Sequence, residues 1–328
     1  MKKIFTKLTV AFAALASASF AQQDPQFTQF MHSKLIYNPG YAGTSDAICA
    51  NALYRQQWVN FPGAPKTGLF SFDMPLGGLP IGIGLNVMND QIGYDKTLFA
   101  RLALSYKRQI GAGNLGIGID GGILQKQFNG TWVTPDGNGV YDPTIPAYSS
   151  MQTSGTLATN PNLNKLSYDL GFGVYYGIAN KMYVGISSTH ITAQELAASD
   201  KVKFALARHY YIVGGYTFNL SPEHALTPNV KVKSDAASTQ LDLNLTYMYN
   251  NMFWVGVSYR MQDAIAPMLG YRFQNGALKG LKAGYSYDLT TSKIKGYSAG
   301  THEIMLGYCY NVKKNKKVTS YQNARFLD

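Results

Sequence analysis

The chain has 328 residues and a formal net charge of +11, with 33 Gly, 24 Tyr and only 14% charged residues. Two cysteines exclude a disulfide-dense miniature fold, and so few charges exclude a chain built mainly of solvated helices. After the first two dozen residues no long apolar run occurs, so the rest of the chain cannot cross a membrane as a helix.

Residues 1–21 read as a signal peptide. Lys2, Lys3 and Lys7 precede an apolar stretch from Leu8 to Leu15, and Ser19-Phe20-Ala21 offers a small-x-small cleavage site. An exported protein beginning at about Gln22 is expected. Removing the three leader lysines leaves +8, and half of that lies in a basic tail over 313–328. There Lys313, Lys314, Lys316, Lys317 and Arg325 face one acid, Asp328. Export argues against nucleic acid as the partner. A solvated periplasmic tail meeting anionic headgroups or an acidic partner is the expectation.

Residues 22–46 contain Pro25, Pro39 and Gly40 and are too irregular for a strand or an amphipathic helix. Phe27, Phe30, Tyr37 and Tyr41 would be exposed in a disordered lead. A plug-like segment, packed within the following domain or across its periplasmic mouth, is therefore expected.

From residue 47 to 312 apolar and polar residues alternate, as in Leu241-Asp242-Leu243-Asn244-Leu245-Thr246-Tyr247. The alternation predicts about 14 strands, at 47–57, 67–75, 81–89, 97–109, 114–126, 165–178, 181–189, 205–219, 226–235, 238–249, 252–262, 264–274, 280–289 and 301–312. Strands with two unlike faces behind a secretory leader point to an all-β, transmembrane antiparallel barrel in a Gram-negative outer membrane, with lipid outside and water inside. Even-numbered links such as Ala179-Asn180 and Asn250-Asn251 are tight and rich in Asn and Gly. The long links, Phe128 to Asn164 and Ile191 to Phe204, are odd-numbered, so they share one rim, expected to be extracellular. An even strand count puts both termini in the periplasm. Ile81, Ile83, Leu102, Val255 and Ile304 are assigned outward, and Gly82, Asn86, Ser105, Lys107, Gln109, Arg260, Lys282 and Asp288 inward.

Motifs for chemistry are weak. Gly116-Ile-Gly118-Ile-Asp-Gly121 matches a dinucleotide fingerprint in letters, but it lies within an alternating strand with no helix after it, so small lumen-facing residues explain it better. Asp136-Gly-Asn138-Gly-Val-Tyr-Asp142 lacks the closing Glu of a calcium loop and reads as turn chemistry. His32, His190, His209, His224 and His302 never stand at ligand spacing, and no Ser or Cys sits in a nucleophile motif. No catalytic residue, metal ligand or cofactor is expected. Cys49 opens the first strand and Cys309 ends the last, both pointing inward, so closure permits a disulfide across the seam. In the longest link Trp132, Tyr141 and Tyr148 are candidate partner contacts, because rigid aromatics make effective interface anchors.

Two N-terminal blocks carry a resemblance: Gln23-Asp-Pro-Gln-Phe-Thr-Gln-Phe-Met31 with Tyr37-Asn-Pro-Gly-Tyr-Ala-Gly-Thr44, and Tyr54-Arg-Gln-Gln-Trp58 with Phe61-Pro-Gly-Ala-Pro-Lys-Thr67. Together with the ending Asn323-Ala-Arg-Phe-Leu327, where Ala324 replaces a usual Pro, they resemble the PorP/SprF family of the Bacteroidetes type IX secretion system. The resemblance implies a non-enzymatic outer-membrane barrel that assists secretion and surface attachment of large proteins, such as gliding adhesins, bearing a C-terminal sorting domain. It also implies contacts with other type IX secretion components and with outer-membrane lipid. The alternative function is an outer-membrane channel for small polar or hydrophobic solutes.

Overall fold

A computed structural model describes residues 24–128, 163–197 and 203–311. Its strands are β1 (Ala47–Gln56), β2 (Lys66–Pro75), β3 (Ile81–Ile92), β4 (Asp95–Ile110), β5 (Gly113–Phe128), β6 (Leu163–Ile178), β7 (Met182–Thr189), β8 (Glu195–Ala197), β9 (Lys203–Ala205), β10 (His209–Tyr216), β11 (Phe218–Asn219), β12 (His224–Ser234), β13 (Thr239–Tyr249), β14 (Phe253–Arg260), β15 (Ala264–Arg272), β16 (Leu281–Thr290) and β17 (Thr301–Asn311). Fourteen of them close into one antiparallel barrel, each strand beside its neighbour in the chain and β1 beside β17. β8 and β9 pair only with each other, and β11 is a two-residue extension beside β12.

The alternation read from the sequence is the alternation of the pleat. On β4, Leu102 and Leu104 face outward, 56% and 47% exposed, while Arg101, Ala103 and Ser105 between them are buried. Leu269, Ile186 and Ile304 continue this apolar outer band on other strands. Exposed Tyr106, Tyr216, Phe218, Phe253 and Tyr310 gather near one rim, and Tyr54, Tyr168, Tyr210 and Tyr259 toward the other. Two aromatic girdles flanking an apolar band are what a lipid bilayer demands of a barrel's outside.

Ala47 and Asn311, where the barrel strands begin and end, share what is here the terminal rim, with the tight links 76–80, 111–112, 179–181, 220–223 and 250–252. Asn250 and Asn251 both have positive φ, 49° and 54°, the left-handed backbone that a tight hairpin turn uses. At the distal rim lie the links 57–65 and 291–300 and the strand ends Phe128, Leu163, Thr189 and His209, but also the short links 93–94, 235–238 and 261–263. The loop lengths are thus segregated less cleanly than the sequence suggested, since a hairpin needs only two residues to close at either rim.

The expected strand 205–219 is shorter, beginning at His209. Residues 203–205 pair in the β8–β9 hairpin instead, and positive φ at His190 and Ala193 turns the preceding link out of the ladder. Gln109, assigned to the lumen, is exposed because β4 ends in the turn beside it. At the seam Cys49 is the register partner of Cys309, with Cα atoms 4.1 Å apart and a disulfide between them.

Candidate functional site

The inward face is polar and carries both charge signs in contact. Arg55 Nη2 lies 2.7 Å from Asp288 and its Nη1 3.0 Å from Glu303. Arg260 bridges Asp288 at 3.1 Å and Asp242 at 3.3 Å, and Lys231 closes on Asp242 at 2.7 Å. All six side chains are 5% exposed or less. Charges so far from water persist only when paired and hydrogen-bonded, and removing one partner of such a pair costs about 3–5 kcal/mol.

Residues 24–46 lie along this face, in contact with it from one rim to the other. Near the distal rim the Asp24 carboxylate accepts from Tyr211 Oη at 2.7 Å, and its carbonyl accepts from Lys233 Nζ at 3.0 Å. One turn further in, Glu303 accepts the backbone N–H groups of Thr28 and Gln29 at 2.8 and 2.7 Å. The Thr28 hydroxyl donates to Asp288 at 2.8 Å. The segment thus joins the ion-pair network through its backbone, which satisfies amide groups that Pro25 and the irregular path leave without a helix or ladder. A helical turn at Lys34–Tyr37 then packs Leu35 against β3, and Asn86 donates to its carbonyl at 3.2 Å.

Asn38 to Gly43 run beside a trough of strand glycines. Asn38 Nδ2 donates to the carbonyls of Val174 and Ile186, and Ser105 donates to Gly40 O at 3.1 Å. A Cβ at Gly82 would strike the Ala42 carbonyl, one at Gly116 the Gly40 carbonyl, and one at Gly118 the Pro39 carbonyl at 2.5 Å. Two glycines of the false dinucleotide motif therefore exist for close approach of a second backbone. At the terminal rim Lys107 reaches Gly43 O at 3.1 Å and Asp46 at 2.5 Å, and Gly43 N–H donates to Asp73 at 3.0 Å.

The aromatic residues singled out in this segment are mostly buried: Phe27, Phe30 and Tyr37 are 3% exposed or less, and Tyr41 is half-buried. Lys231 Nζ sits 4.9 Å from the Phe30 ring centre and 5.0 Å from that of Tyr37, and Tyr41 meets Tyr175 edge-on.

Toward the distal rim a cavity of about 170 Å³ remains, bounded by Asp24, Phe27, Tyr37, Phe99, His190 and Tyr211 among others. Asp24, Thr28, Gln29 and Asn38, which hold the segment in place, were not singled out from the sequence. The only signal for them was their position within the two N-terminal blocks. Trp132, Tyr141 and Tyr148, and the basic tail over 313–328, lie outside the described residues.

The strand ends Ala47 and Asn311 share one rim and Asp24 lies at the opposite one, because residues 24–46 traverse the barrel's length.

Three of the solved structures to which the chain is similar are the following. For the "TodX deltaS2S3 mutant monoaromatic hydrocarbon channel" the identity is 11%, covering 85% of this chain and 94% of that one, with a TM-score of 0.46. For the Ralstonia pickettii toluene transporter TbuX these values are 9%, 86%, 94% and 0.47. For a Pseudomonas aeruginosa FadL homologue they are 10%, 90%, 100% and 0.44. No curated protein matches the chain. The family model described as type IX secretion system membrane protein PorP/SprF matches residues 19–308. With its closed fourteen-stranded barrel, the chain belongs to the PorP/SprF family of type IX secretion membrane proteins and is an outer-membrane barrel.

Proposed function

We propose that this barrel is a non-enzymatic anchor of type IX secretion, holding the C-terminal sorting domain of a large exported protein, an adhesin for example, at the cell surface. In this reading residues 24–46 are a plug, the distal rim faces outward and the basic tail faces the periplasm. The observation that carries the proposal is the tethering of residues 24–46 to buried lumen charges along the whole barrel. A solute channel needs a free path through its lumen, whereas an anchor needs a surface. The link over 129–162 is the candidate surface: it is long for a connection and supplies Trp132, Tyr141 and Tyr148. Other secretion components are the expected partners at the periplasmic side.

Replacing residues 130–161 with a short Gly-Ser linker tests this. Strand pairing and the lipid-facing band are untouched, so the barrel stays in the outer membrane. A specific large surface protein is then released into the medium or fails to appear. An unaltered surface proteome together with reduced uptake of small solutes would install the channel reading in its place.

A further inference from the structure

The distal end of residues 24–46 meets two histidines that the sequence leaves 19 positions apart, His190 at the end of β7 and His209 at the start of β10. Thr189 and His209 are register partners, which brings the two rings to 5.7 Å between centres. Both side chains are buried, at 4% and 1% exposed, and the Asp24 carboxylate points between them. One ligand atom from each of the three residues lies within 4.8 Å of the others.

The outer contacts of the two rings decide what they can do. His190 Nδ1 lies 3.0 Å from Asp169 Oδ2, and His209 Nδ1 lies 2.9 Å from the Ala207 carbonyl. At His209 the Nε2 lone pair accepts from the Asp24 backbone N–H at 3.4 Å, and His190 Nε2 donates to Asp24 Oδ1 at 2.8 Å. The proton in that short contact is one that a bound metal cation would displace. Arg101 Nη2 lies 3.5 Å from the same Nε2.

We propose that Asp24, His190 and His209 bind a divalent first-row transition-metal ion. Two imidazoles and one carboxylate are a donor set such ions take readily. Carboxylate and carbonyl contacts on the far ring nitrogens are the outer shell that orients metal-binding histidines. Tyr211 Oη, 2.7 Å from Asp24 Oδ2, fixes the carboxylate in the same way. Around the site Asp120 and Asp169 both pair with Arg101, at 3.7 and 2.8 Å, and Lys233 Nζ donates to the Asp24 carbonyl at 3.0 Å. The three ligand atoms lie within 4.8 Å of one another, against about 3.4 Å between ligands around one ion with bonds of 2.0–2.1 Å. Further coordination positions open into the adjoining cavity. The ion would tie Asp24 to the distal rim.

The test uses the full-length barrel without a histidine tag, purified in detergent, stripped with a chelator and titrated with Zn²⁺ alone. One Zn²⁺ per chain binds saturably. Asp24→Ala and His209→Gln weaken binding at least 100-fold, Asp169→Asn about tenfold through its effect on His190, and His302→Gln not at all. Absence of a saturable site in the unaltered protein overturns the proposal, as does unchanged affinity in both Asp24→Ala and His209→Gln. Should those variants lose the heat-modifiable gel mobility of a folded barrel, Co²⁺ in the unaltered protein decides. A visible band of low-coordinate Co²⁺, abolished by one equivalent of Zn²⁺, supports the site, and the spectrum of hydrated Co²⁺ refutes it.

Discussion

Glu303 joins the N-terminal segment to the ion pairs of the lumen. It is fully buried, accepts two backbone N–H groups from the N-terminal segment and pairs with Arg55. Glu303→Ala leaves Arg55 with Asp288 and the Thr28 hydroxyl and leaves two amides without an acceptor, a loss of about 3–5 kcal/mol by comparison with other broken buried pairs. Because both amides belong to residues 28 and 29, the cost falls on the seating of that segment rather than on the strands. The expected outcome is limited proteolysis within residues 24–44 while heat-modifiable mobility persists; loss of the folded barrel itself would show that Glu303 supports the strands. The sequence already made this lumen legible in outline, because Arg260 and Asp288 stand at inward positions of alternating strands. Their partners were not legible. Thr28, Gln29 and Asn38 show no periodicity, and what they bind is set by contacts hundreds of positions away.

At the scale of elements, strand existence followed from the two-residue period, since lipid and lumen select opposite residue types on the two faces. The failures lie where another constraint overrides that period, at the hairpin of β8 and β9 and at the bend from His190 to Ala193. The seam between β1 and β17 joins the two ends of the sheet and carries the Cys49–Cys309 disulfide. In the chain-entropy account, closing a loop of 260 residues stabilises by about 5 kcal/mol. Electrophoresis without reductant is expected to show a mobility shift on reduction that Cys309→Ser abolishes; two free thiols in the unreduced, denatured protein would contradict it. The N-terminal segment sets a second expectation for the elements. It passes from the terminal rim at Asp46 to the distal rim at Asp24. A short epitope inserted before Asp24, after the leader, should therefore be reached by antibody on intact cells, whereas a cysteine at Asn251 should resist an impermeant thiol reagent. Equal accessibility of both sites would overturn the orientation proposed for the barrel.

For the whole molecule, an outer face suited to lipid encloses an interior that the chain itself occupies for much of its length. The glycines at 82, 116 and 118 leave space for a second backbone, and the buried ion pairs give that backbone fixed partners. Such an interior suits a barrel that works through its rim, and it follows from contacts that neither composition nor alternation announces. Single-channel recording in planar bilayers, comparing the intact barrel with one lacking residues 22–44, tests whether residues 24–46 close the lumen. A nearly silent intact protein and a clear, stepwise increase in conductance on deletion are expected; equal conductance of the two proteins, whether high or low, would show that the segment does not close it.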